Sequence, residues 1–345
     1  SSTSDTMTAN GDITSAGALT AQNVSTIILD TNVDLIANNG NVSAGSIHLS
    51  GTGGINLIQA SDDVVLSVVT DTSFGGPDEL NIRAGRNITL FQVDINGFNA
   101  PILDIDLDTG ADGSSTLTAT SGLSAGSIEI NGQGTNDTLN SGNAVQIASS
   151  GGSSTSLFIS DFDVVNVDNF IAAVTNVTIQ NVNTRVILGS NVDIRSTSGT
   201  VDVNNNVTLI DLTGTGTNEI NAGANVELAT ITDSAAVIEL AIGAGNDLTT
   251  ANITLDNLAT VLLDVNADTN GGGGTLSMGN LTAGQITIDG TGTDDTFNLL
   301  GTVTSSNTSI LINQANNINL SGDVTAATDL TISNANTEVQ LGTNV

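Results

Sequence analysis

An all-β chain wound as a parallel β-solenoid (a β-helix) is predicted for these 345 residues by three observations. Short apolar alternations run through the whole chain, the composition favours strands over helices, and the text repeats itself. The alternation carries the local prediction. Units such as Ile47-His48-Leu49, Ile105-Asp106-Leu107, Ile128-Glu129-Ile130, Val177-Thr178-Ile179, Val207-Thr208-Leu209, Ile286-Thr287-Ile288 and Ile318-Asn319-Leu320 place every second side chain on one face. One face then enters a core and the other meets water, which is the strand signature. The units are short and are punctuated by Gly, Asn and Asp, residues that accept turn geometry.

The composition agrees. The chain has 38 Gly, 2 Pro and no Cys, Trp or Tyr, and its apolar 38% is mostly Val, Ile, Leu and Ala. Small branched residues suit a narrow stacked core, in which identical positions form ladders. Lysine is absent and the only bases are Arg83, Arg86, Arg185 and Arg195, so the net charge is −32. Four scattered arginines cannot neutralise a phosphate backbone, which excludes nucleic acid as a partner. An anionic membrane surface would repel the chain, and no apolar run approaches membrane-spanning length, so no direct membrane insertion is expected. Acidity of this size favours solubility and divalent cations.

Repetition separates a solenoid from a sandwich. Glu79–Gly85 aligns with Glu239–Gly245 (239 − 79 = 160), Leu123–Ile130 with Leu281–Ile288 (281 − 123 = 158), and Thr31–Leu35 with Ser190–Ile194 (190 − 31 = 159). Leu330–Thr337 matches Val177–Thr184 at an offset of 153, and Asn10–Thr14 resembles Ser321–Thr325. The expected organisation is one continuous solenoid over 1–345, holding two super-repeats of about 160 residues (approximately 20–178 and 179–330) with the ends in phase. Strand spacing predicts coils of roughly 20–25 residues.

Certain stretches resemble the right-handed parallel β-helix repeats of large bacterial surface proteins, such as filamentous haemagglutinin-like adhesins. Gly40-Asn41-Val42-Ser43-Ala44-Gly45-Ser46-Ile47 and Ala84-Gly85-Arg86-Asn87-Ile88-Thr89-Leu90 carry the likeness. It implies a right-handed coil, secretion by a Gram-negative-type cell, and a place outside the cell or on its surface. Other cells or extracellular matrix would then be partners.

Several residues are candidate sites. Gly132–Leu139 and Gly290–Phe297 look like the calcium-binding Gly-Gly-x-Gly-x-Asp nonapeptide, which makes Asn136, Asp137, Asp294 and Asp295 calcium candidates and calcium the one candidate cofactor. The two copies lie 158 residues apart, too far for consecutive coils to share an ion. Asp104, Asp106, Asp108 and Asp112, echoed by Asp264 and Asp268, form an acidic stretch of the kind polysaccharide-cleaving enzymes use. Alternation predicts that Asp104, Asp106 and Asp108 all face solvent, and no Trp, Tyr or Lys is present to hold a sugar. His48, the single histidine, is expected outside between Ile47 and Leu49, with no visible partner. Asn-x-Ser/Thr sequons recur, at Asn23, Asn41, Asn87, Asn176, Asn206, Asn252 and Asn280 among others, as they would by chance in a chain this rich in Asn and Thr. Thr116, Thr118 and Thr120 and the run Thr213–Thr217 hint at an ice-binding ladder without continuing it.

The function expected from these residues is structural rather than enzymatic. The chain reads as a subunit of an extracellular filament or adhesin stalk, stacking head-to-tail on copies of itself into a stiff rod. With four arginines it offers trypsin few cut points. A calcium- or ligand-binding adhesin module is the alternative, and a polysaccharide-active enzyme stands behind both.

Overall fold

The computed structural model describes residues 5–21, 24–71, 78–96, 101–109, 113–133, 136–142, 146–149, 155–209, 216–234, 237–256, 261–291 and 294–342. All regular structure among them is β, and the strands pair in parallel. The strands stack as a β-solenoid of about 13 turns. Among the described residues no helix is long and apolar enough to cross a membrane. The chain divides into two compact units, residues 1–175 with 181–184, and residues 176–180 with 185–345.

Each unit is built from three stacks of parallel strands. In the first, one stack runs from Thr6–Ala9 through Thr26–Leu29 to the C-terminal halves of Val42–Leu49, Val64–Asp71, Ile88–Ile95 and Thr116–Ala125, then to Gln146–Ser149 and Phe170–Ala173. A second runs from Ile13–Ser15 through Leu35–Ala37, Ile55–Ala60, Glu79–Ala84, Ile102–Leu107 and Ser127–Gly132 to Leu157–Ser160. The third starts at Leu19–Ala21, takes the N-terminal halves of the four long strands, and ends at Thr138–Ser141 and Val164–Val167. The second unit repeats this plan, its middle stack running from Asp193–Ser196 through Thr217–Ala222, Glu239–Ala244, Leu262–Ala267 and Gln285–Gly290 into Ile310–Leu320 and Leu330–Leu341.

The inward residues form the expected ladders. Ile82, Ile105, Ile130 and Ile159 pair coil on coil, all buried. Ile220, Ile242, Val265, Ile288 and Ile312 do the same in the second unit. Each fully buried side chain contributes about 1.5–3 kcal/mol of transfer free energy. The advance per coil ranges from 20 residues (Thr6 to Thr26) to 30 (Gln92 to Gly122), wider than the 20–25 expected. The surplus goes into turns, because the strands are held to one length by the shared core. Residues 268–274 are such an addition, inside the coil that runs from Leu248 to Leu276.

Turn geometry follows the long repeat. The eight described non-glycine residues with positive φ fall into four pairs: Asn32 with Asn191, Asp108 with Asp268, Asp161 with Gln314, and Asn181 with Asn334. Their separations are 159, 160, 153 and 153 residues, the offsets read from the text. Asn and Asp tolerate this left-handed region better than other non-glycine residues.

Two equivalent glycines show how closely the coils approach. A Cβ on Gly132 would lie 2.5 Å from the Asp161 carbonyl oxygen, and one on Gly290 would lie 2.4 Å from that of Gln314. Both contacts are to backbone, which cannot swing away. Gly290→Ala is therefore expected to cost about 1–3 kcal/mol, read as a lowered urea midpoint at unchanged m-value.

Candidate functional site

The two calcium-like turns are built alike, one in each unit. Asp137 and Asp295 are buried, while Asn136 and Asp294 are exposed. The Asp137 carboxylate accepts a hydrogen bond from the Ser115 backbone N–H (2.9 Å), and the Asp295 carboxylate accepts one from that of Gly274 (3.1 Å). Their own carbonyls accept from the next coil, Asp137 from Asp163 and Val164, and Asp295 from Asn316 and Asn317. Each aspartate therefore ties three successive coils at one corner. Gly134, Thr135, Gly292 and Thr293 of these motifs lie outside the described residues. Among the described residues, no three His, Cys, Asp or Glu side chains converge as a ready metal cluster.

The acidic stretch divides, and one expectation is overturned. Asp104 and Asp106 face outward, but Asp108 is wholly buried. Alternation fails there because the strand ends at Leu107 and Asp108 takes a φ of +57°, which turns its side chain inward. Asp268 repeats this, with a φ of +55° and 1% exposure. Asp112 lies outside the described residues. The inward turn of both aspartates was not legible in the text, where they continue an alternating run; the Gly-rich segments that follow are the only signal of it.

Stacking puts like charges one strand spacing apart, about 4.8 Å. Asp104 pairs in register with Glu129, and Asp193 with Glu219. Burial, then repulsion from Asp106 and Glu129, pushes the Asp104 carboxyl up to about 6, with Arg83 opposing. The Arg83 guanidinium lies 3.1 Å from Asp106 and 3.7 Å from Asp104. Burial likewise raises Asp34, Asp168, Asp193, Asp202 and Asp264. A carboxyl whose folded pKa exceeds its unfolded value favours the fold while protonated, and that advantage is lost as pH rises through the folded value. Stability is thus expected to increase as pH falls from about 7 towards 4. For Asp104 this shift is equivalent to about 3 kcal/mol, cut to about 1 kcal/mol because the carboxylate is partly exposed to water. Thermal melts across this range check it, and Asp104→Asn should flatten the slope.

The remaining candidates are structural in place. His48 lies on the outer face and its Nδ1 is 3.1 Å from the Thr70 hydroxyl one coil on. Thr118 is flanked in register by Thr89 and Asn140, so the threonines form no unbroken ladder there. Thr213 and Thr215 lie outside the described residues, as does Asn23. Five of the sequon asparagines brace corners, Asn176 by accepting from the Thr200 N–H. Asn41 Oδ1 accepts from the Asp63 N–H, Asp63 Oδ1 from the Asn87 N–H, and Asn87 Oδ1 from the Thr116 N–H. Asn252 and Asn280 form a second such ladder, ending on the Thr302 N–H. A corner Asn followed by an inward apolar residue and an outward Ser or Thr is by itself a sequon, so coil architecture generates the motif.

The most exposed apolar surface lies at the last coil of the second unit. Leu330, Val339 and Leu341 are 47%, 40% and 64% exposed. With Leu320, Val324 and Ile332 they line an open recess of about 650 Å³. Leu330 and Leu341 occupy the ladder positions of Ile310 and Leu320, so the recess is core left uncovered. Asp323 edges it and Glu338 stands on the same strand. No protein family, curated protein or solved structure matches the chain.

Proposed function

We propose that this chain is a structural element of an extracellular rod, stacking head-to-tail on copies of itself. The carrying observation is the uncovered core at the last coil. A coil identical in plan is the natural cover, because it offers three parallel strand edges and an apolar interior with the same spacing. Among the described residues, Thr6–Ala9, Ile13–Ser15 and Leu19–Ala21 each pair with one later strand, and a coil of the same plan would pair with their other edges. Contacts between unlike ends do not close, so they propagate as a filament, and open strand edges template such pairing. The resemblance to filamentous haemagglutinin-like repeats supports a setting at the surface of a Gram-negative-type cell.

Sedimentation and electron microscopy of the purified chain test this reading. Concentration-dependent fibres with a solenoid cross-section are expected, favoured by salt because Asp5 and Asp12 of one copy would approach Asp323 and Glu338 of the next. A chain that stays monodisperse at high concentration and in salt would overturn it.

A further inference from the structure

We infer that the corner formed by Asp268 and Asp295 is a binding site for a hard divalent cation of the calcium type. Asp268 is 1% exposed, and among the described residues neither of its carboxylate oxygens has a hydrogen-bond partner. An isolated buried carboxylate is costly unless a proton, a cation or a donor compensates it. Among the described residues no arginine forms an ion pair with it; Arg83, Arg86 and Arg195 pair with Asp62, Asp63, Asp104, Asp106 and Asp193 instead. The surroundings are oxygen-rich. A Cβ on Gly274 would meet the Asp268 Cβ at 2.8 Å and the Asn246 carbonyl oxygen at 2.4 Å, and the Gly274 N–H donates to Asp295. A Cβ on Gly272 would lie 3.7 Å from Asp268 Oδ1. Asp268, Asn246 and Asp295 therefore converge on Gly274.

Calcium accepts such a mixed set, because carboxylates, backbone carbonyls and water all serve as its ligands. Three converging acidic side chains are not required. The first unit carries the same plan at the long-repeat offset: Asp108 and Asp137 are both buried, and the Ser115 N–H donates to Asp137 as the Gly274 N–H does to Asp295. The ligand aspartate is thus Asp268, which the nonapeptide likeness does not include.

The experiment is calcium calorimetry and thermal melting of the full chain after chelator treatment. Salt near 0.15 M with excess magnesium suppresses diffuse binding to the acidic surface. Saturable calcium binding is expected, with a rise in Tm of roughly 5 °C at a hundredfold excess over Kd. Asp268→Asn should weaken binding at least tenfold, whereas Asp329→Asn, on the exposed last coil, should leave it unchanged. In the absence of calcium, Asp268→Asn should melt at or above the parent temperature, which shows that the variant folds. Absence of saturable binding, or binding untouched by Asp268→Asn, would overturn the site; a variant stabilised without calcium while the parent ignores calcium would identify a protonated aspartate instead.

Discussion

Aspartate at both Val339 and Leu341 is expected to hold the chain monomeric under conditions in which the proposed filament would form. The two side chains are already 40% and 64% exposed in the free chain, so charging them removes little of its own packing. In a stacked filament the same positions would lie between coils, where Leu341 continues the ladder from Leu320. Burying two carboxylates there, without partners, costs several kcal/mol, and the loss of two apolar contacts adds to it. The association constant should fall at least about a hundredfold, equivalent to about 2.7 kcal/mol. Sedimentation velocity reads the assembly state and circular dichroism checks the fold. Fibres that persist in this double variant would place the contact elsewhere.

That contact surface was only partly legible beforehand. Strand, face and core followed from alternation, because a period of two leaves no choice once one face is buried. Ile105, Leu107, Ile128 and Ile130 are all buried, as their neighbours Asp106 and Glu129 require. Coil length was less readable, since loop additions such as 268–274 lengthen a coil without disturbing its strands. The failure at Asp108 has the same origin. Alternation predicts a side chain's direction only while φ stays extended, and a left-handed residue reverses it. The buried carboxylates at the corners therefore emerged from geometry, although their repetition at Asp108 and Asp268 was already written in the text.

Phe297→Ala is expected to be among the most damaging single changes in the second unit. Phe297 is fully buried and is, with Phe162, one of the two largest such side chains among the described residues. It stacks between Leu276 and Ile318 on adjacent coils. Truncation removes the transfer free energy of the ring and leaves a cavity that strands fixed on both sides cannot close. Such changes cost about 3–5 kcal/mol. The long repeat supplies the control, because the equivalent position in the first unit is Leu139, also fully buried and stacked between Leu117 and Val165. Leu is thus compatible with this place in the coil, and Phe297→Leu should cost less than about 1.5 kcal/mol. Because each coil touches only its neighbours, the loss should be local. Hydrogen exchange should accelerate across Leu276, Phe297 and Ile318 and their flanking strands, while Ile82, Ile105 and Ile130 in the first unit keep their protection. Uniform acceleration in both units would instead mean that the 345 residues unfold as one cooperative body.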